Sequence, residues 1–282
     1  MRVLISGYSG LVGTEVARQL REAGHEAIKL DRNEQDLPGL IETIDAVVNL
    51  AGATTGRIPW TKQYKREIVS SRLETTKKIV AAINGAKRKP QVLVSGSASG
   101  FYGDCGDLVL DESSPKGTGF LSDLAAEWES EALKANTRVV LARTTMVMSR
   151  LKGALGRLLP LIKLGVGGPL GSGKQWWAFI SLQDEAAAII HLLKNSDASG
   201  AYNLTAPEAA TCEDIVKSLA RGLRRPAFFK VPEFAMKLLI GEAAIELLLC
   251  SQKMTANRLI DSGFKFAHPT LESATKYVLS KS

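Results

Sequence analysis

Seven residues near the amino terminus have the types and spacing to hold a diphosphate: Gly7, Tyr8, Ser9, Gly10, Leu11, Val12 and Gly13. They follow the short apolar run Val3, Leu4, Ile5 and lead into a helical pattern. A strand that turns sharply into a helix aims backbone N–H groups, and the positive end of the helix, at an anion. Gly7 permits the tight turn, Gly10 lets the backbone approach phosphates without a Cβ in the way, and Gly13 lets the helix sit close to the sheet. The spacing is GxxGxxG rather than GxGxxG.

Glycines alone say little, and the neighbouring elements supply the context. Val12, Val16, Ala17, Leu20 and Ala23 share one helical face, with Gly24 as a stop. Ala27–Asp31 then reads as a second strand ending in an acid, 18 residues after Gly13. A carboxylate there accepts hydrogen bonds from the adenosine ribose. The pattern points to a dinucleotide, with an ordinary βαβ unit as the simpler alternative. Two adjacent residues disagree about which dinucleotide. Asp31 repels a 2′-phosphate and favours NAD, whereas the Arg32 guanidinium pairs with that phosphate and favours NADP.

The alternation of elements continues along the chain. Ala46–Leu50, Gln91–Ser95 and Arg138–Ala142 read as strands, with helices over about 61–83 and 122–133 between them. Trp176–Ile180 and Ala201–Leu204 read as later strands, separated by a helix from Leu182 to Leu193. The expected fold is therefore α/β, a doubly wound parallel Rossmann sheet with a smaller, mainly helical C-terminal subdomain on the substrate side. Residues 1–206 form the expected dinucleotide-binding domain, with 149–175 contributing to the substrate side. Residues 207–282 form a cap, with helices over about 212–222, 233–249 and 271–279. Ligands of such sheets lie beyond the carboxyl ends of the strands. That rule adds Leu50, Ala51, Gly52, Ser95 and Arg143 to the candidate cofactor contacts.

Composition excludes other classes. The chain has 282 residues, 45% of them apolar and 23% charged, the mixture of an ordinary globular protein. Its net charge of +7 is spread out, without the aromatic interleaving of a nucleic-acid surface. A basic cleft for an anionic ligand fits the same charge. No apolar run has the length of a membrane span, and Met1 opens a strand, so the expectation is no membrane partner and a cytoplasmic location. Three cysteines and three histidines show no metal-ligand spacing, and no metal is expected. Gly168–Lys174 fits GxxxxGK, but Gln175 stands in place of the Mg²⁺-binding hydroxyl. Gly96–Gly100 has Ala98 where a nucleophile elbow needs serine.

Several segments resemble the extended short-chain dehydrogenase/reductase superfamily, NAD-dependent epimerase/dehydratase-like, and within it the 39U-type epimerase family proteins. They are Asn49–Gly52, Ser71–Thr75, Phe101–Asp104, Trp128–Glu129, Leu164–Gly173 with Gln175 and Trp176, Asn203–Pro207, and Gly241–Leu249. The similarity runs nearly end to end and includes that family's C-terminal helical extension. It implies an NAD(P)-dependent oxidoreductase or epimerase-like enzyme acting on a small polar substrate, with NADP slightly favoured over NAD. Asp31 departs from that branch, which has a small residue before the arginine. By superfamily placement, Asp36 and Leu37 contact the adenine. Oligomeric state stays open, a homodimer included.

The resemblance also implies Ser, Tyr and Lys chemistry: a tyrosinate exchanges a proton with a substrate hydroxyl, a lysine lowers its pKa, and a serine holds the oxygen. Ser97 is the counterpart of the serine, or else a hydroxyl capping a strand end. The Tyr-x-x-x-Lys pair is absent: Gly119–Glu127 carries no phenol and no lysine. Tyr102 is the nearest phenol, either a proton relay or a ring stacked beside the nicotinamide. Arg72 either orients a carboxylate substrate, lowers the pKa of Tyr102, or joins a surface ion pair. The missing pair also keeps a second reading open, a non-catalytic dinucleotide-binding redox sensor or scaffold.

Overall fold

The computed structural model describes residues 1–150 and 153–280. Its first half alternates strongly: β1 (Arg2–Ser6), α1 (Leu11–Glu22), β2 (Glu26–Lys29), α2 (Leu37–Glu42), β3 (Ala46–Asn49), α3 (Lys62–Gly85), β4 (Val92–Ala98) and β5 (Val109–Leu110). Next come α4 (Phe120–Ala132), β6 (Arg138–Thr144), β7 (Met146–Met148), α5 (Ala154–Lys163), β8 (Phe179–Ser181), α6 (Leu182–Lys194) and β9 (Gly200–Leu204). The remainder holds α7 (Cys212–Gly222), α8 (Glu233–Ile240), α9 (Glu242–Ala244), β10 (Lys253–Met254), α10 (Asn257–Asp261) and α11 (Leu271–Leu279).

Six strands form one parallel sheet in the order β2-β1-β3-β4-β6-β9. Side chains of a strand alternate between its faces, and here that alternation sorts the core. Val3, Ile5, Val48 and Val94 face α1 and α6, while Leu4, Val47 and Leu93 face α2 and α3. Buried on both faces, these strands read as continuous apolar runs. The fold is therefore a doubly wound Rossmann sheet. Its strand order reverses between β1 and β3, which places a crevice above their carboxyl ends.

A second core joins α5, α7 and α11 to β7 and β8, through Leu159, Phe179, Ile215, Leu219, Ala274 and Val278. The long helix expected over 233–249 is broken. Gly241, at φ +72°, ends α8, and the chain restarts as α9 and a π turn over Ile245–Leu249. The expected strand from Trp176 shortens to β8, because Trp176 and Trp177 instead bridge Thr211 and Gln252. β2 likewise stops at Lys29, before Asp31. Gly168–Lys174 is a loop, its Leu170 bridged to Val231. Among the described residues no helix is long and apolar enough to cross a membrane.

One buried acid has a consequence for stability. Glu185 on α6 has no exposed surface; its Oε1 accepts from the Thr144 hydroxyl at 2.6 Å, and its Oε2 has no partner among the described residues. Burial pushes its pKa up to about 8, from an ordinary value of 4.5. The folded state thus binds the proton more tightly than the unfolded chain does. Stability falls as pH rises from about 4.5 to about 8, by up to ~1.4 kcal/mol per pH unit. Urea denaturation across that window will show the slope in the natural chain and a flatter profile in Glu185→Gln.

Candidate active site

The glycine turn is built as a cradle. A Cβ at Gly7, whose φ is +69°, would lie 2.4 Å from the Leu50 carbonyl oxygen at the end of β3. A Cβ at Gly13 would lie 2.3 Å from the Gly7 carbonyl oxygen. Glycine is therefore required at both positions, and β1, β3 and α1 meet within a van der Waals distance. Gly10 caps α1 without any side-chain hydrogen bond, and the first helical turn carries no acid. The donors of that turn are left for an anion. Tyr8 lies beside the turn with its ring and hydroxyl against Arg21.

A polar spine anchors the neighbouring loop. Ser6 donates to Asn49 Oδ1 at 2.6 Å, and Asn49 and Trp128 both donate to the Thr76 hydroxyl, at 2.8 and 2.9 Å. The Ser6 hydroxyl also accepts from the Ala51 amide at 3.3 Å. Leu50, Ala51 and Gly52 are thereby held beside the turn. Ser95 is different: it is fully buried against Asn49 inside the sheet. Its side chain is not available to a cofactor, which corrects the expectation for Ser95.

At the far end of β2, Asp31 is tied to Lys29 by an ion pair of 2.5 Å. Arg32 is exposed and has no carboxylate partner among the described residues. The lysine offsets part of the charge that would repel a 2′-phosphate. Asp36 spends its carboxylate on the Gly39 amide, at 2.9 Å, as the N-cap of α2, whose first residue is Leu37.

Three expected site residues come together in one buried network. Glu129 of α4 pairs with Arg143 through two bonds, Nε to Oε1 at 2.8 Å and Nη2 to Oε2 at 2.9 Å. Ser97 donates to Glu129 Oε1 at 2.6 Å. Arg143 Nη1 donates to the Tyr102 hydroxyl at 2.8 Å, and that hydroxyl in turn donates to Asn203 Oδ1 at 2.7 Å. Burial works against the Arg143 charge, but Glu129 outweighs it and holds its pKa above the ordinary value. Arg143, an expected cofactor contact, is thus paired with a carboxylate inside the core.

Tyr102 also departs from its expected role. It has no exposed surface, and burial raises its pKa above the ordinary phenol value despite Arg143. It stays neutral at physiological pH and offers no open ring face to a nicotinamide. Burial therefore works against a tyrosinate at this position, and Arg143 works for it.

Arg72 is neither in a surface ion pair nor beside Tyr102. Its guanidinium lies over Gly52, where an added Cβ would be 2.9 Å from Cζ, and over Trp128 at 5.3 Å from the ring centroid. One nitrogen donates to the Ala53 and Ile68 carbonyls at 3.1 and 2.9 Å. Among the described residues no carboxylate pairs with it. Burial without a counter-charge pushes its pKa down to about 10. Nη2 and Nε, which face Gly52, donate no hydrogen bond among the described residues.

The C-terminal extension closes over this region. Gly119 offers no side chain to cap α4. The Glu246 carboxylate does so from the extension, accepting from the Phe120 and Leu121 amides at 2.7 and 2.8 Å. Glu242 pairs with Lys65 of α3 at 2.8 Å. Neither Glu129 nor Glu246 was a candidate site residue from sequence. The available signal for Glu129 was an acid on the apolar stripe Leu124, Ala125, Trp128, Ala132, with an arginine in the buried strand opposite.

Sheet order, glycine turn and helical extension together define an extended dinucleotide-binding α/β protein. Residues 3–205 match the model of the NAD dependent epimerase/dehydratase family, and residues 231–278 match a domain of unknown function, DUF1731. The human epimerase family protein SDR39U1 is 33% identical, covering 99% of this chain and 100% of that protein. An Arabidopsis thaliana relative, a chloroplastic SDR39U1 homolog, is 35% identical over 99% of this chain and 87% of its own length. The crystal structure of human SDR39U1 (isoform 2) with NADPH superposes with a TM-score of 0.93 at 31% identity, covering 99% of both chains. A Bacillus cereus UDP-glucuronic acid 4-epimerase in complex with UDP-glucuronic acid and NAD shares the fold at 17% identity and a TM-score of 0.77. The chain belongs to the NAD-dependent epimerase/dehydratase family and, within it, to the 39U-type epimerase family proteins.

Proposed function

We propose that this chain is an NADP(H)-dependent oxidoreductase or epimerase-like enzyme, cytoplasmic, acting on a small polar molecule that carries an anionic group. The observation that carries the reading is Arg72, a buried guanidinium over Gly52 in the loop after β3, with no carboxylate partner among the described residues. The open amides of the α1 terminus would hold the pyrophosphate, and Arg32, with Asp31 paired to Lys29, would hold a 2′-phosphate. When bound, the nicotinamide supplies or accepts the hydride. Arg72 orients the anionic end of the substrate. Ser97 gives its own proton to Glu129, so toward a substrate it acts as an acceptor and holds a hydroxyl.

Calorimetric titration will give tighter binding of NADPH than NADH, and Arg32→Ser will reduce the difference at least ~10-fold, the loss of about one charge-assisted contact. NADPH oxidation is then followed with carbonyl compounds bearing a carboxylate or phosphate and with neutral analogues. Turnover confined to the anionic compounds, and lost in Arg72→Met with NADPH affinity kept, supports the reading. Failure to bind either dinucleotide overturns it. Binding without hydride transfer to any compound favours the second reading, a dinucleotide-binding sensor or scaffold. The observation behind that alternative is the missing Tyr-x-x-x-Lys pair in Gly119–Glu127, with the nearest phenol, Tyr102, buried.

A further inference from the structure

The stretch from Arg224 to Lys230 reads Arg, Arg, Pro, Ala, Phe, Phe, Lys. In the fold it is a loop whose two rings stand in solvent, Phe228 at 82% and Phe229 at 62% exposure. A second loop beside it follows the same scheme. Lys163 precedes Leu164 and Val166, which are 75% and 54% exposed. The loops touch: a Cβ at Gly165 would meet the Pro226 ring at 3.5 Å, and one at Gly168 would collide with the Phe229 backbone. The first loop continues into α8, whose Phe234 and Leu238, one turn apart, are 73% and 82% exposed. Monomeric proteins rarely leave so many large apolar side chains together in water without a use for them.

The charges around this face identify its occupant. Lys163, Arg224, Arg225 and Lys230 have no carboxylate partner among the described residues, whereas Lys237 is paired with Glu233. Apolar tips ringed by unpaired cations are complementary to a layer with a negative surface and an apolar interior. A second copy docked by a two-fold axis would set the same four cations against themselves, because such an interface uses one patch twice.

We propose that the face made by the 163–166 loop, the 224–230 loop and α8 docks on anionic phospholipid membranes. Phe228, Phe229 and Leu164 enter the headgroup–acyl boundary while the cations meet lipid phosphates. This is surface association rather than spanning, and it revises the expectation of no membrane partner.

The test uses the full chain and extruded vesicles of phosphatidylcholine, alone or mixed with phosphatidylglycerol, in a sedimentation assay. Partition onto the anionic vesicles should exceed that onto phosphatidylcholine at least ~10-fold and weaken with added salt, as expected for several basic residues near the surface. The pairs Phe228→Ser with Phe229→Ser, and Arg224→Glu with Arg225→Glu, should each lower it by ~10-fold or more. All four residues are exposed, and an unchanged melting temperature will confirm folding. No binding to anionic vesicles, or binding indifferent to both pairs, overturns the proposal. So does a concentration-dependent dimer, seen by sedimentation velocity, that Phe228→Ser dissolves; that result assigns the face to a second copy.

Discussion

Replacing Gly10 by aspartate should abolish dinucleotide binding while leaving the chain folded. Gly10 has an ordinary backbone, φ −72° and ψ 169°, and a Cβ there meets only the Gly7 carbonyl oxygen at 3.0 Å. Aspartate is among the best N-cap residues, and its charge is favourable at a helix N-terminus. The same carboxylate would occupy the place reserved for the pyrophosphate. Two unit charges 4 Å apart repel by about 4 kcal/mol at an effective dielectric constant near 20, so NADPH affinity should fall on the order of 1000-fold. Thermal unfolding and calorimetric titration of one preparation check both halves. Undiminished affinity would remove the turn from the binding site.

The largest stability effect is expected at Glu129. Its carboxylate neutralises buried Arg143 and accepts from Ser97. Glu129→Ala leaves that guanidinium without its counter-charge, a change that typically costs about 3–5 kcal/mol. For a chain of this size the melting temperature should drop by roughly 6–20 °C. Removing both charges together, as Glu129→Leu with Arg143→Met, should restore much of the loss, since the pair's net contribution is smaller than the penalty for breaking it. A double variant as unstable as the single one would show that the network contributes mainly through Ser97 and Tyr102.

What could be read in advance depended on whether a residue's role was local. Gly7, Gly10 and Gly13 carry their meaning in their own turn, and α7 and α11 announce their starts through Thr211 and Thr270, both N-caps. Arg143 lies near the end of β6, whereas Ser95 lies inside β4, which runs on to Ala98, and the surroundings of both were set by partners on other elements. Arg143 meets Glu129 across the core, and Ser95 faces Asn49 of the neighbouring strand. No periodicity encodes such pairings. The break after α8 had a local sign in Gly241, but the apolar pattern of 233–249 runs through it and hides the stop. The balance between Asp31 and Arg32 was likewise undecidable without Lys29, whose reach to Asp31 follows from the strand's end and not from any motif.

The carboxylate that the extension places on α4 ties two distant parts of the chain together. Glu246 closes a loop of 126 residues back onto the Phe120 amide, and each of its two charge-assisted bonds is worth about 1.5–3 kcal/mol. If lifting the extension breaks both, at about 3 kcal/mol, fewer than roughly one molecule in a hundred is open at any moment. Hydrogen exchange at the Phe120 and Leu121 amides measures those openings directly. In Glu246→Gln both amides should exchange faster.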